Sequence, residues 1–190
     1  MPVQLDGVGV TVNGRPAFVE YVSSKQVNVL APIDPAQGVV QVQLTNTLGA
    51  SASVHIPMQA YAPGFFAFNG GPYVAATHAD GRYIGPLTLY PGSTTPAKPG
   101  ETVIIYASGF GQTSPPVVNG SSSQSGPLPL LPAITVGGVA ATIQFAGVIS
   151  PGLYQFNVVL PSSLPDGDAA LSATYGGFSS QVGVLISVQN

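Results

Sequence analysis

Residues 8–14, VGVTVNG, alternate apolar with small or polar positions and end in Asn13-Gly14. Period-two alternation marks a strand with one buried face. Asn-Gly marks a two-residue hairpin turn in which both residues take positive φ. AFVEYVS (17–23) is the return strand this predicts, and QVNVLAP (26–32) is a third strand, stopped by Pro32. IDPAQG (33–38) reads as a turn, VVQVQLTNTLG (39–49) as a cleanly alternating strand, and ASASVHIPM (50–58) as the segment that completes the set. No window carries a persuasive helical period, so the predicted class is all-β.

The pattern then returns. ITVGGVAATIQFAG (134–147) aligns with residues 10–23 without a gap, and five extra residues around VISPG follow. From QFNVVLP (155–161) the alignment with QVNVLAP resumes: Asn28 meets Asn157, Pro32 meets Pro161, Gly38 meets Gly167 and Thr45 meets Thr174. The expected architecture is an internal duplication giving two immunoglobulin-like β-sandwich modules. Two copies are too few for a solenoid. The predicted boundaries are 1–59 for the first module, 60–96 for an ordered aromatic linker with a hairpin at Asp80-Gly81, and 97–190 for the second module. PGETVIIYASGFG (99–111) opens the second module with a turn, a buried strand and a Gly-rich turn. The first nine residues hold no counterpart, so the first module is expected to lack its opening strand. An open sheet invites another strand to pair. The source expected here is the linker hairpin over residues 72–85; a parent-protein segment and a neighbouring subunit are the other two. Residues 112–132, rich in Pro, Ser and Gly, read as an exposed loop.

Composition narrows the function classes. Charged residues are 6% of the chain and hydrophobic ones 45%, with 24 Gly and 19 Pro, which fits many short strands joined by many turns. Four Lys and Arg at a net charge of −3 form no basic patch, so nucleic-acid and anionic-membrane partners are not expected. The absence of cysteine removes disulfides, thiol nucleophiles and Cys-based zinc sites. No apolar run reaches the length of a membrane span, and no signal peptide lies in this stretch.

PAKPGETVIIYASGFG, ITVGGVAATIQFAG, GLYQFNVVLP and DGDAALSATYGG resemble the IPT/TIG group of immunoglobulin-like domains. With VTVNGRPAFVEYVS, QVNVLAP, APGFFAF and ATHADG added, nearly the whole chain resembles a C-terminal domain of secreted proteins from Solibacter-type acidobacteria. That resemblance implies export and attachment to upstream domains of a parent protein. It implies no activity, cofactor or site residue.

Candidate chemistry is sparse. His55 falls in an alternating strand and His78 just before a turn, and no Gly-x-Ser-x-Gly elbow accompanies either. His78 and Asp80 lack further ligands at metal-binding spacing, so neither a metal nor a cofactor is expected. SGFG (108–111) has no following helix or lysine for a phosphate, and DGD (166–168) reads as a solvated turn. Aromatic residues crowd 61–90. Tyr73, Tyr83 and Tyr90 are the candidate ligand-binding residues, as a platform for sugar rings; the other reading is that these aromatics, with Phe65, Phe66 and Phe68, cover a joint. The expected function is a non-catalytic extracellular attachment, adhesion or spacer module. The alternatives are a carbohydrate-binding accessory module and a subunit that self-associates by strand pairing. A hydrolase is the remote third class.

Overall fold

The computed structural model describes all 190 residues, Met1–Asn190, and the chain is all-β. It divides into two compact units: residues 1–60 with 117–124, and residues 61–116 with 125–190.

Unit 1 contains β1 (Gln4–Leu5), β2 (Val8–Val12), β3 (Arg15–Pro16), β4 (Phe18–Val22), β5 (Val27–Leu30), β6 (Gly38–Asn46), β7 (Gly49–Ala50) and β8 (Val54–Met58). One sheet runs β1-β2-β6-β7, with β3 on β2 and β8 on β6, and the other is the hairpin β4-β5. The sheets enclose Val10, Val12, Ala17 and Val40, with Val27, Val29, Val42, Leu44 and Met58 packed against them.

Unit 2 contains β9 (Gly64–Phe65), a 3-10 turn (Phe68–Gly70), β10 (Ala76–Thr77), β11 (Tyr83–Ile84), β12 (Thr94–Thr95), β13 (Thr102–Ser108) and β14 (Gly126–Pro127). It continues with β15 (Ala133–Val136), β16 (Val139–Ala140), β17 (Thr142–Ser150), β18 (Leu153–Val159), β19 (Gly167–Tyr175), β20 (Phe178–Ser179) and β21 (Leu185–Val188). One sheet runs β12-β11-β10-β13-β18-β17-β14 with β9 on β13. The other runs β16-β15-β19-β20 with β21 on β19. Their facing sides bury Val103, Ile105, Phe110, Ile134, Val136, Phe156, Val158 and Leu171 among others.

The two ladders match residue for residue. Val10 pairs with Leu44 as Ile134 pairs with Ala173, and Val12 with Val42 as Val136 with Leu171. Phe18 pairs with Leu30 as Thr142 with Val159, and both hairpins carry a bulge one residue after the second pair. Asn46 pairs with Gly49 as Tyr175 with Phe178. Side chains follow suit. The Gln26 amide donates to Asn28 Oδ1 at 2.6 Å, and the Gln155 amide to Asn157 Oδ1 at 2.8 Å. Both sharp hairpins turn through two positive-φ residues, Asn13-Gly14 and Gly137-Gly138, the twist that suits adjacent antiparallel strands.

Four expectations need correction in whole or in part. Residues 61–96 are not a separate linker: β9 and β10 pair with β13, so this segment widens the first sheet of unit 2. The hairpin over 72–85 therefore serves β13 and does not supply the strand that unit 1 lacks. Of the three phenylalanines expected to pack, Phe65 is buried, Phe68 is half-buried and Phe66 is 44% exposed, because short strands alternate their faces. Residues 112–132 are mostly exposed, as expected, but they are not without partners: residues 117–124 join unit 1, where Phe18 packs on Gly120, and Gly126 pairs with Val148.

Candidate functional site

The aromatic groove lies within unit 2. Phe68 comes from the 3-10 turn, Tyr83 from β11, and Tyr90 and Ser93 from the turn between β11 and β12. Ring centroids are 5.2 Å apart for Phe68 and Tyr83, 5.6 Å for Phe68 and Tyr90, and 6.2 Å for Tyr83 and Tyr90. These are edge and tilted contacts of the kind that aromatic quadrupoles favour. Together the four residues line a cavity of about 290 Å³. Tyr83 is 46% exposed, so its ring is open to a ligand.

Each side chain is held by local chemistry. Thr94 is buried, and its hydroxyl donates to Pro86 O at 2.9 Å while accepting from Tyr90 N–H at 3.2 Å. Ser93 N–H donates to Tyr90 O at 2.9 Å, closing the turn that carries both residues. The Phe68 turn is fixed by Phe68 N–H donating to Tyr73 O and Gly71 N–H donating to Phe68 O, both at 2.9 Å. Tyr83 stands in register between strands, opposite Thr77 and beside Thr94.

In the turn between β10 and β11, His78 is buried and fully engaged. Its Nδ1 lies 2.5 Å from Glu101 Oε1, and its Nε2 lies 2.8 Å from Thr95 Oγ1 and 3.3 Å from Thr95 O. The other Glu101 oxygen accepts from Lys98 N–H at 2.8 Å. The order hydroxyl, imidazole, carboxylate is that of an acyl-transfer triad. Here the hydroxyl belongs to a ladder strand, and Thr95 O already accepts from Gly85 N–H. The relay links the β10–β11 turn, β12 and the residue before β13. His55, on β8, is exposed.

Of the three residues singled out from sequence, the structure unites Tyr83 and Tyr90 and diverts Tyr73. The Tyr73 hydroxyl donates to Asp168 Oδ2 at 2.8 Å, which raises its pKa, and its backbone bridges Leu185. Tyr73 joins the rim of unit 2 to β19 and lies outside the groove. Phe68 and Ser93 complete the groove. Ser93 is signalled by the Tyr-Pro-Gly-Ser turn that places it three residues from Tyr90.

No helix is long and apolar enough to cross a membrane. No family model matches the chain, and no curated protein matches it. Among solved structures, the chain is similar to the Bacteroides ovatus mixed-linkage glucan utilization locus protein SGBP-B in complex with a mixed-linkage heptasaccharide. The identity is 14% and the TM-score 0.34; the match covers 96% of this chain and 37% of that one.

Proposed function

We infer that this chain is a non-catalytic attachment module of an extracellular or cell-surface protein, and that its aromatic groove holds a neutral saccharide. The observation that carries this reading is the Phe68–Tyr83–Tyr90 cluster beside Ser93. Pyranose rings offer apolar C–H faces and an equatorial rim of hydroxyls. Aromatic faces take the former, while tyrosine and serine hydroxyls bond the latter. No charged side chain lines the groove, which suits an uncharged sugar. The low charge and the resemblance to C-terminal domains of secreted acidobacterial proteins support export and covalent attachment to upstream domains.

A glycan array probed with the full chain, followed by calorimetry on the best hit, tests this. Saturable binding should weaken about tenfold or more in Tyr83→Ala and in Tyr90→Ala, and stay unchanged in Tyr73→Phe. Equal affinity in the wild type and Tyr83→Ala would reject the groove as the site. Turnover of any arrayed glycan would reject the non-catalytic reading.

A further inference from the structure

In unit 2, β18 is flanked on both sides, by β17 and by β13. Six residues of β13 pair with it, from Thr102 opposite Val159 to Ala107 opposite Tyr154. In unit 1 the matching strand, β5, pairs with β4 alone. The orientation of the free edge follows from the ladder. Leu160 N–H donates to Glu101 O, whereas Tyr106 N–H on β13 points away, to Ala75 O. Antiparallel strands turn alternate residues to alternate neighbours, so Phe156 and Val158 face β13. Val27 and Val29 hold those positions in β5. On the other side, Ser23 N–H donates to Gln26 O, as β4–β5 pairing requires. The N–H and C=O groups of Val27 and Val29 therefore point outward, with no strand to meet them.

A second observation shows the shape of what is missing. β13 runs through Gly109 into Phe110, which is fully buried. The Phe110 ring sits 4.7 Å from Phe156 and 5.8 Å from both Tyr154 and Tyr175. At the matching positions unit 1 has Val27, Lys25 and Asn46. With Val22 and Leu44, these residues line a groove of about 490 Å³. Val27 belongs to both the open edge and the groove, so the two are contiguous, as β13 and the Phe110 site are in unit 2.

We propose that unit 1 is a strand acceptor, which binds an extended segment of a partner polypeptide with apolar residues at alternate positions followed by an aromatic side chain. Val103, Ile105, Ala107 and Phe110 display that pattern in unit 2. Main-chain bonds to Val27 and Val29 give the segment its register, and the aromatic ring fills the groove. Lys25 stands where the Tyr154 hydroxyl donates to Gly111 O, so an acceptor following the aromatic completes the fit. The donor is not a second copy of this chain. Its own β13 is occupied on one side by β18 and on the other by β9 and β10, and would have to leave its sheet.

The probe is a synthetic peptide of residues 100–111 with two C-terminal lysines for solubility, added to the full 190-residue chain. Amide hydrogen exchange by NMR reads the edge directly. In the free chain, Val27 and Val29 amides should exchange at least about tenfold faster than that of Asn28, and saturating peptide should slow both by about tenfold or more. A peptide with Ser in place of Phe110 should bind about tenfold more weakly, as should the wild-type peptide to Val27→Phe, whose ring blocks the groove. Unchanged aromatic and β6 amide shifts in Val27→Phe will show that the variant is folded. Protected Val27 and Val29 amides in the free monomer would overturn the open edge. Failure to bind up to about 1 mM peptide would overturn the acceptor. Protection that appears only as the chain dimerises would assign the edge to a second copy and overturn the partner.

Discussion

Phe110 meets Phe156 edge-on, with ring centroids 4.7 Å apart and planes at 70°, and neither ring is exposed. Phe110 follows β13 and Phe156 lies on β18, so this contact ties the strand that unit 1 lacks to one that both units share. Phe156→Ala should cost roughly 3–5 kcal/mol, the range for emptying a buried aromatic site. Val27→Ala, at the matching half-buried position of unit 1, should cost about 1 kcal/mol or less. Urea unfolding of both variants gives the comparison, and equal losses would show that the two cores are filled alike.

Gly109 carries the next expectation. Its φ is +80°, and a Cβ there would lie 1.9 Å from Ala62 O, the backbone that runs back along β13. Ala62 N–H donates to Gly109 O at 2.9 Å, so the approach is part of the fold. Gly109→Ala should destabilise unit 2 by more than about 2 kcal/mol and expose residues 61–75 to protease, whereas the wild type should resist cleavage there. Gly138, also at positive φ but with nothing within 4 Å, separates strain from overlap: Gly138→Asn should be nearly neutral.

The Tyr154 hydroxyl donates to Gly111 O, and burial pushes its pKa up to about 12. The folded chain thus holds this proton more tightly than the unfolded chain, whose tyrosines titrate near 10. Stability from this group is complete below about pH 10 and is lost as pH rises toward 12, by about 2–3 kcal/mol in all. Urea midpoints at pH 9 and pH 11 measure the loss. In Tyr154→Phe the fall between those values should shrink; an unchanged fall would place its cause elsewhere.

Glu101 joins His78 to the start of β13. Glu101→Ala leaves the buried imidazole and Lys98 N–H without their acceptor, and should cost about 1–3 kcal/mol. Because the same hairpin presents Tyr83, saccharide affinity should fall with it even though Glu101 is absent from the groove. Thr95→Val, which removes the hydroxyl on the other imidazole nitrogen, should act in the same direction. Loss of stability with undiminished binding would show that the relay supports the sheet and not the groove.

The fold was legible where local chemistry decides it. Asn13-Gly14 can close one kind of hairpin, and Gln155-x-Asn157 repeats Gln26-x-Asn28 with the same side-chain bond. The alternating strands carry their own period. What escaped the sequence was decided at long range. Gly64–Phe65 and Ala76–Thr77 are two-residue strands, too short to show any period, and their attachment to β13 depends on partners 27–44 residues further on. Tyr73 looked like its neighbours Tyr83 and Tyr90 until Asp168, far along the chain, claimed its hydroxyl. Residues 117–124 carry no signal that assigns them to unit 1; a flat Gly120 under the Phe18 ring does so.

The split composition of unit 1 bears on how the chain is made. Unit 1 takes in residues 117–124 as its last piece, well after residues 1–60 have been made. At about 5–20 residues per second, synthesis from residue 61 to Gln124 lasts roughly 3–13 s. Throughout that interval the bare edge of β5 is displayed on a half-finished product, beside other chains on the same message. Glu20 on β4 and Lys25 just before β5, both exposed, are the only charges between Arg15 and Asp34. β5 itself, Val27–Leu30, carries no charge, so its bare edge has little of its own to turn a neighbouring chain away.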